Sequence, residues 1–134
     1  MKGLDTNVLV RYLVQDDPKK FAAAQRELES AAQIGGRFVI SPIVLCELVW
    51  VLETAYGRTK AEVVETLERV LRTAQFDVLE KEVVWGAWED YKSKKGDFSD
   101  YYLGRRHRQS GADTTLTFDK ALSTSPFFEV LKGS

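Results

Sequence analysis

The sequence predicts an α/β fold: a single domain over residues 1–134 built on a parallel β-sheet flanked by helices on both faces. Three observations predict it. Short apolar or β-branched runs at residues 38–40, 76–79 and 114–117 alternate with longer stretches whose apolar residues recur at helical spacing. Asp-Pro, Ser-Pro and Gly punctuation separates them. Strands that alternate with helices pair in parallel and are covered on both faces. The length of 134 residues and the 44% apolar content suit one domain with a sizeable core, not a disordered chain.

The elements follow in order. A very short strand ends at Asp5, and Val8, Leu9, Val10, Tyr12, Leu13 and Val14 continue it as a helix. Asp16-Asp17-Pro18 breaks that helix, and Asp17 caps the next with Pro18 at its first position. Residues 21–32 form this second helix, which Gly35-Gly36 ends. The buried strand 38–40 leads through Ser41-Pro42, a second cap-plus-proline start, into a third helix over 43–56. Thr59 and Glu62 make a capping box for a fourth helix reaching about Ala74, with Val63, Val64, Leu67, Val70 and Leu71 on one face. A strand at 76–79, an amphipathic helix at 83–94 and a helix at 101–109 follow. Residues 114–117 are a strand, a short helical turn reaches Leu122, and 127–131 is a last edge strand.

Composition narrows the function. A net charge of −1 supplies no global field toward nucleic acid, so polyanion binding must come from a local patch. The single cysteine, Cys46, allows no disulfide within the chain, which suits a reducing compartment. No stretch has the length of a membrane span and no signal-peptide pattern opens the chain, so the expected location is the cytoplasm, with no membrane partner. With His107 the only histidine, the sequence argues against a His-based zinc site or a Ser-His-Asp triad, and no glycine-rich phosphate loop is present.

The acids carry the chemistry. Asp5 lies at the carboxyl end of the first strand, where open α/β sheets bind ligands; read alone it is equally a helix N-cap. Glu47 is the only charged residue between Arg37 and Glu53, and its helical neighbours Ile43, Val44, Trp50 and Val51 are apolar. It is therefore expected on a core-facing stripe, where a carboxylate must be paired or bind a metal. Asp100 begins a helix after Asp97-Phe98-Ser99; either Asp97 or Asp100 is the cap. Asp119 follows the strand 114–117, repeating the placement of Asp5. In a doubly wound sheet these positions face one edge. Carboxylates converging there repel unless a cation neutralises them. Oxygen ligands without clustered His or Cys select Mg²⁺ or Mn²⁺. Such ions cleave phosphodiesters by lowering the pKa of a bound water and stabilising the leaving oxygen, often as a pair about 3.5–4 Å apart.

Asp5-Thr6-Asn7 after a strand, an acid in the helix that Pro42 opens, Asp97-Phe98-Ser99-Asp100 and Thr117-Phe118-Asp119 together resemble the PIN-domain family, and in particular the toxin ribonucleases of VapBC toxin–antitoxin modules. The resemblance spans residues 3–131. It implies an α/β/α sandwich with a Mg²⁺- or Mn²⁺-dependent RNA endonuclease site. Its four acids match Asp5, Glu47, Asp100 and Asp119 as catalytic metal ligands. Thr6 matches the hydroxyl residue beside the first acid, and Asp97 is an accessory ligand or an orienter of Asp100. It further implies an RNA substrate, a small antitoxin protein whose tail fills the acidic groove, and a homodimer through helix faces. Tyr101-Tyr102 departs from the small or aliphatic residues common after the third acid.

Arg105-Arg106-His107-Arg108 reads either as a solvated face or as a phosphate-steering rim in which Arg105, Arg106 and Arg108 bind RNA. Cys46, Trp85, Trp88 and Tyr91 read as core or interface residues. Two rival classes carry less. A phosphoryl-transfer α/β hydrolase of haloacid-dehalogenase type wants a second Asp where Asn7 stands, and a phospho-receiver wants a reactive Asp where Ser41 stands. A non-catalytic PIN-like domain that binds RNA or protein has little reason to keep four acids.

Overall fold

The computed structural model of the chain describes residues 1–133. The chain divides into two compact units, Met1–Glu80 and Lys81–Ser134.

The first unit holds β1 (Lys2–Gly3), α1 (Thr6–Val14), α2 (Pro18–Gln33), β2 (Phe38–Ile40), α3 (Pro42–Thr54), α4 (Lys60–Arg72) and β3 (Phe76–Val78). The three strands form a parallel sheet in the order β1-β2-β3, with Gly3 opposite Val39 and Val39 opposite Asp77. Parallel pairing sends the chain out of every strand at the same edge. β1 is two residues long. The Leu4 N–H nevertheless donates to the Val39 carbonyl at 3.0 Å, so the chain keeps register up to Asp5.

The helix starts follow the capping chemistry. Asp17 accepts from the Lys20 N–H at 3.1 Å with Pro18 in the first turn, and α2 begins at Pro18, a turn earlier than its apolar pattern. Thr59 and Glu62 form the reciprocal capping box. The core of this unit packs Phe38, Ile40 and Phe76 of the sheet with Leu45, Leu48 and Leu52 of α3 and Val63, Leu67 and Leu71 of α4; each is buried. Each such side chain contributes about 1.5–3 kcal/mol of hydrophobic stabilisation.

The second unit holds α5 (Lys81–Ser93), α6 (Phe98–Gln109), β4 (Thr115–Thr117), a 3-10 turn (Lys120–Leu122) and β5 (Phe128–Val130). β5 pairs in parallel with β4, with Leu116 opposite Glu129. α5 and α6 pack through Val84, Ala87 and Tyr91 against Phe98 and Tyr101, and the Tyr91 and Phe98 rings meet edge to face at 6.2 Å. Trp88 and Tyr91 are buried and Trp85 partly so, in keeping with a packing role. Gly104 admits the Phe128 ring: a Cβ there would lie 2.6 Å from Phe128 Cε2. The parallel α/β class is the one the alternating pattern predicts. Among the described residues no helix is long and apolar enough to cross a membrane.

Candidate active site

Asp5 caps α1, with extended backbone (ψ 157°), and its Oδ1 accepts the Thr6 N–H at 2.7 Å. That contact uses one carboxylate oxygen and leaves the exposed group open on its other side. Thr6 is buried, and its Oγ1 donates to Glu47 Oε1 at 2.9 Å. Thr6 follows β1, and Glu47 lies one and a half turns into the helix that follows β2. The bond therefore joins the carboxyl ends of two parallel strands, where the sequence places the site.

The surroundings of Glu47 differ from expectation. Its stripe on α3 does not face the core. Glu47 is exposed, and Ile43 and Trp50, four residues before it and three after, are 67% and 66% exposed. The buried face of α3 is carried by Val44, Leu45, Leu48, Val49 and Leu52. α3 is apolar almost all round, so periodicity could not tell which side is buried. The cost of burying a lone charge thus does not apply to Glu47. It remains open to solvent, held by Thr6.

In the second unit Asp97 is the N-cap of α6 and makes no side-chain capping bond. Asp100 is the third residue of that helix, half-buried, with its N–H donating to the Asp97 carbonyl at 3.1 Å. Burial raises the Asp100 carboxyl above its ordinary pKa, and the charges of Asp97 and Asp119 raise it further. Asp119 is fixed by a local turn: its N–H donates to Thr117 Oγ1 at 3.0 Å, and its Oδ1 accepts the Ala121 N–H at 2.9 Å. Asp97 and Asp119 thus lie near enough to Asp100 for their charges to act on it.

Tyr101 is a constituent that sequence reasoning treated only as a departure. It is buried, its Oη donates to the Lys95 carbonyl, and its pKa is raised by burial and by Asp90, Asp100 and Asp119. It lies against Gly96, whose φ of +114° suits glycine; a Cβ there would be 2.9 Å from Leu122 Cδ2 and 3.0 Å from Tyr101 Oη. The Gly96 signal was present in the sequence, since glycine ahead of a capping Asp marks a special turn.

The basic cluster is partly committed to packing. Arg105 makes a bidentate pair with buried Asp90, Nε–Oδ2 at 2.7 Å and Nη2–Oδ1 at 3.0 Å. Arg108 donates to the Asp113 and Pro126 carbonyls. Both guanidinium groups lie over the Phe127 ring, at 4.6 and 4.8 Å from its centroid. Arg106 bonds to Ser110 Oγ.

Among the described residues no Lys or Arg forms an ion pair with Asp5, Glu47, Asp97, Asp100 or Asp119, although Glu27, Asp16, Asp77, Glu62, Glu68 and Asp90 all have one. No group of three or more His, Cys, Asp or Glu among the described residues stands ready-made for a metal ion. The donor chemistry still fits a hard divalent cation. The unpaired groups are carboxylates, and Asp100 is pushed toward its neutral form first by burial and then by the charges of Asp97 and Asp119, a repulsion that a cation relieves.

The PIN domain family model matches residues 3–126. A VapC ribonuclease of Aquifex aeolicus (strain VF5) is 27% identical over 120 residues, covering 90% of this chain and 88% of that protein. No solved structure matches the chain significantly. With the family model spanning nearly the whole sequence, the chain belongs to the PIN-domain family.

Proposed function

We propose that the chain is a Mg²⁺- or Mn²⁺-dependent endoribonuclease, the toxin of a type II toxin–antitoxin module, with residues 1–134 acting as one PIN-like domain. The observation that carries this reading is the set of acids at strand ends and helix starts that pair with no basic side chain among the described residues. The Aquifex relative is named a ribonuclease, which supports RNA as substrate, and the resemblance to VapBC toxins implies an antitoxin as partner.

Asp5, Glu47, Asp100 and Asp119 are the residues that would hold the cation. A bound divalent ion supplies Lewis acidity toward water and phosphate oxygen. The chain's own groups set the stage for it. Thr6 orients the Glu47 carboxylate through its 2.9 Å bond. The α1 cap bond holds the Asp5 carboxylate, the Ala121 N–H holds that of Asp119, and Thr117 Oγ1 anchors the Asp119 backbone N–H. Asp97 acts as an accessory ligand or keeps Asp100 oriented. Arg105, Arg106 and Arg108, on the helix that carries Asp100, border the RNA path. In the cell the protein works in the cytoplasm, as a homodimer held by an antitoxin whose tail occupies the acidic groove.

Incubation with total RNA and Mg²⁺ or Mn²⁺, followed by mapping of new 5′ ends, tests the reading. Cleavage that depends on the ion and is abolished by Asp5→Asn in a folded protein supports it. Retained cleavage by a carefully purified Asp5→Asn protein removes Asp5 from the mechanism. Absence of Mn²⁺ binding in calorimetry points to a non-catalytic binder.

A further inference from the structure

The Asp97–Asp100–Asp119 cluster presents a difficulty for a polyanionic substrate, because carboxylates repel the strand they are to act on. Two lysines sit on the same two loops. Lys95 precedes Gly96-Asp97, and Lys120 follows Asp119; both are exposed. Neither forms an ion pair with the adjoining acids or with any other described residue. Their neighbours are engaged. Lys94 lies 3.7 Å from Asp90, Lys92 stacks over Trp88, and Arg105 and Arg108 are held by Asp90 and Phe127.

The two loops are fastened together. Tyr101 Oη holds the Lys95 carbonyl, and the Leu122 side chain closes on Gly96. Lys120 begins the 3-10 turn that Leu122 ends, a rise of about 4 Å. Both ammonium groups are therefore carried on short, pinned backbone at the rim of the acids.

We propose that Lys95 and Lys120 bind backbone phosphates of the RNA strand that crosses the Asp97–Asp100–Asp119 acids. This rests on the ribonuclease reading above and adds to it which cations receive the strand. As point charges on flexible stems they grip phosphate without reading bases.

The test measures binding of a labelled oligouridylate by fluorescence anisotropy, without divalent ions, between 50 and 200 mM salt. It is paired with Mn²⁺-dependent cleavage of the same RNA. Each neutralised lysine that contacts phosphate lowers the slope of log affinity against log salt by about 0.7, so Lys95→Gln with Lys120→Gln lowers it by about 1.4. Lys95→Arg with Lys120→Arg keeps the wild-type slope. Lys81→Gln, at the opposite end of α5, also keeps it. A wild-type slope in the double Gln variant, or an equal loss in Lys81→Gln, overturns the proposal while ion-dependent cleavage by the wild type leaves the nuclease reading standing. A lysine-dependent slope in a protein that cleaves nothing upholds the proposal and removes the nuclease reading. A wild type that neither binds nor cleaves RNA removes both.

Discussion

Thr6 Oγ1 donates to Glu47 Oε1 at 2.9 Å, linking side chains 41 positions apart across the carboxyl edge of the parallel sheet. Thr6 is buried and Glu47 exposed, so the hydroxyl acts as a fixed support for a solvent-facing carboxylate. Groups that orient metal ligands are typically worth about 10–100-fold in metal affinity or activity. Thr6→Val is expected to lower Mn²⁺ affinity by about that factor with the fold intact by circular dichroism, and Thr6→Ser is expected to restore it. Wild-type Mn²⁺ affinity in Thr6→Val would show that the bond plays no part in holding the ion.

Asp100 carries a pH signature. Its folded pKa is raised by burial and by the charges of Asp97 and Asp119. A carboxyl raised on folding contributes stability fully below its unfolded pKa, and that contribution is lost as pH rises through the folded pKa. At pH 7 the ionised group is therefore a net cost to the metal-free protein. Asp100→Asn is expected to melt at a higher temperature than wild type at pH 7 in chelator. The gain should vanish near pH 3, where Asp100 is neutral in both states. A lower melting temperature for the variant at pH 7 would contradict this account.

Arg105 is the anchor between α5 and α6. Its guanidinium forks onto Asp90, which is 4% exposed, and lies so close to α5 that a Cβ on Gly86 would sit 2.4 Å from Nη1. Removing it leaves a buried carboxylate with only Lys94 at 3.7 Å. Breaking a buried pair costs about 3–5 kcal/mol; Arg105 is 30% exposed, so Arg105→Ala is expected near 3 kcal/mol. Arg105→Lys recovers little, because an ammonium cannot fork. Urea melts with unchanged slope report this directly, and a loss below 1 kcal/mol would mean that the pair is dispensable.

Gly96 combines a left-handed backbone with a crowded Cα. Its φ is +114°, and a Cβ would meet both Leu122 and Tyr101. Gly96→Ala is expected to destabilise by about 1–3 kcal/mol, since strain and overpacking act together there. Thermal melts at neutral pH check it. An unchanged melting temperature would show that the loop can move aside.

Much of this protein was legible in its sequence because the signals are local. Asp17-Pro18 and Thr59 with Glu62 set the starts of α2 and α4 through side-chain caps, and Ser41-Pro42 sets that of α3 through the proline at its first position, whereas α6 starts at Phe98, a turn before the 101–109 stretch read as helix. The acids at strand ends were legible for the same reason. What required tertiary structure was every choice between faces. The apolar run 43–52 does not say which side of α3 is buried, and packing against α1 and α4 left Glu47, Ile43 and Trp50 outward. Nor does a string of basic residues say which are used internally. Arg105 met a buried Asp90 and Phe127, while Lys95 and Lys120 met no acid. Local propensity acts through neighbours in the chain, whereas burial and pairing depend on which distant surface arrives, and only the folded chain contains that information.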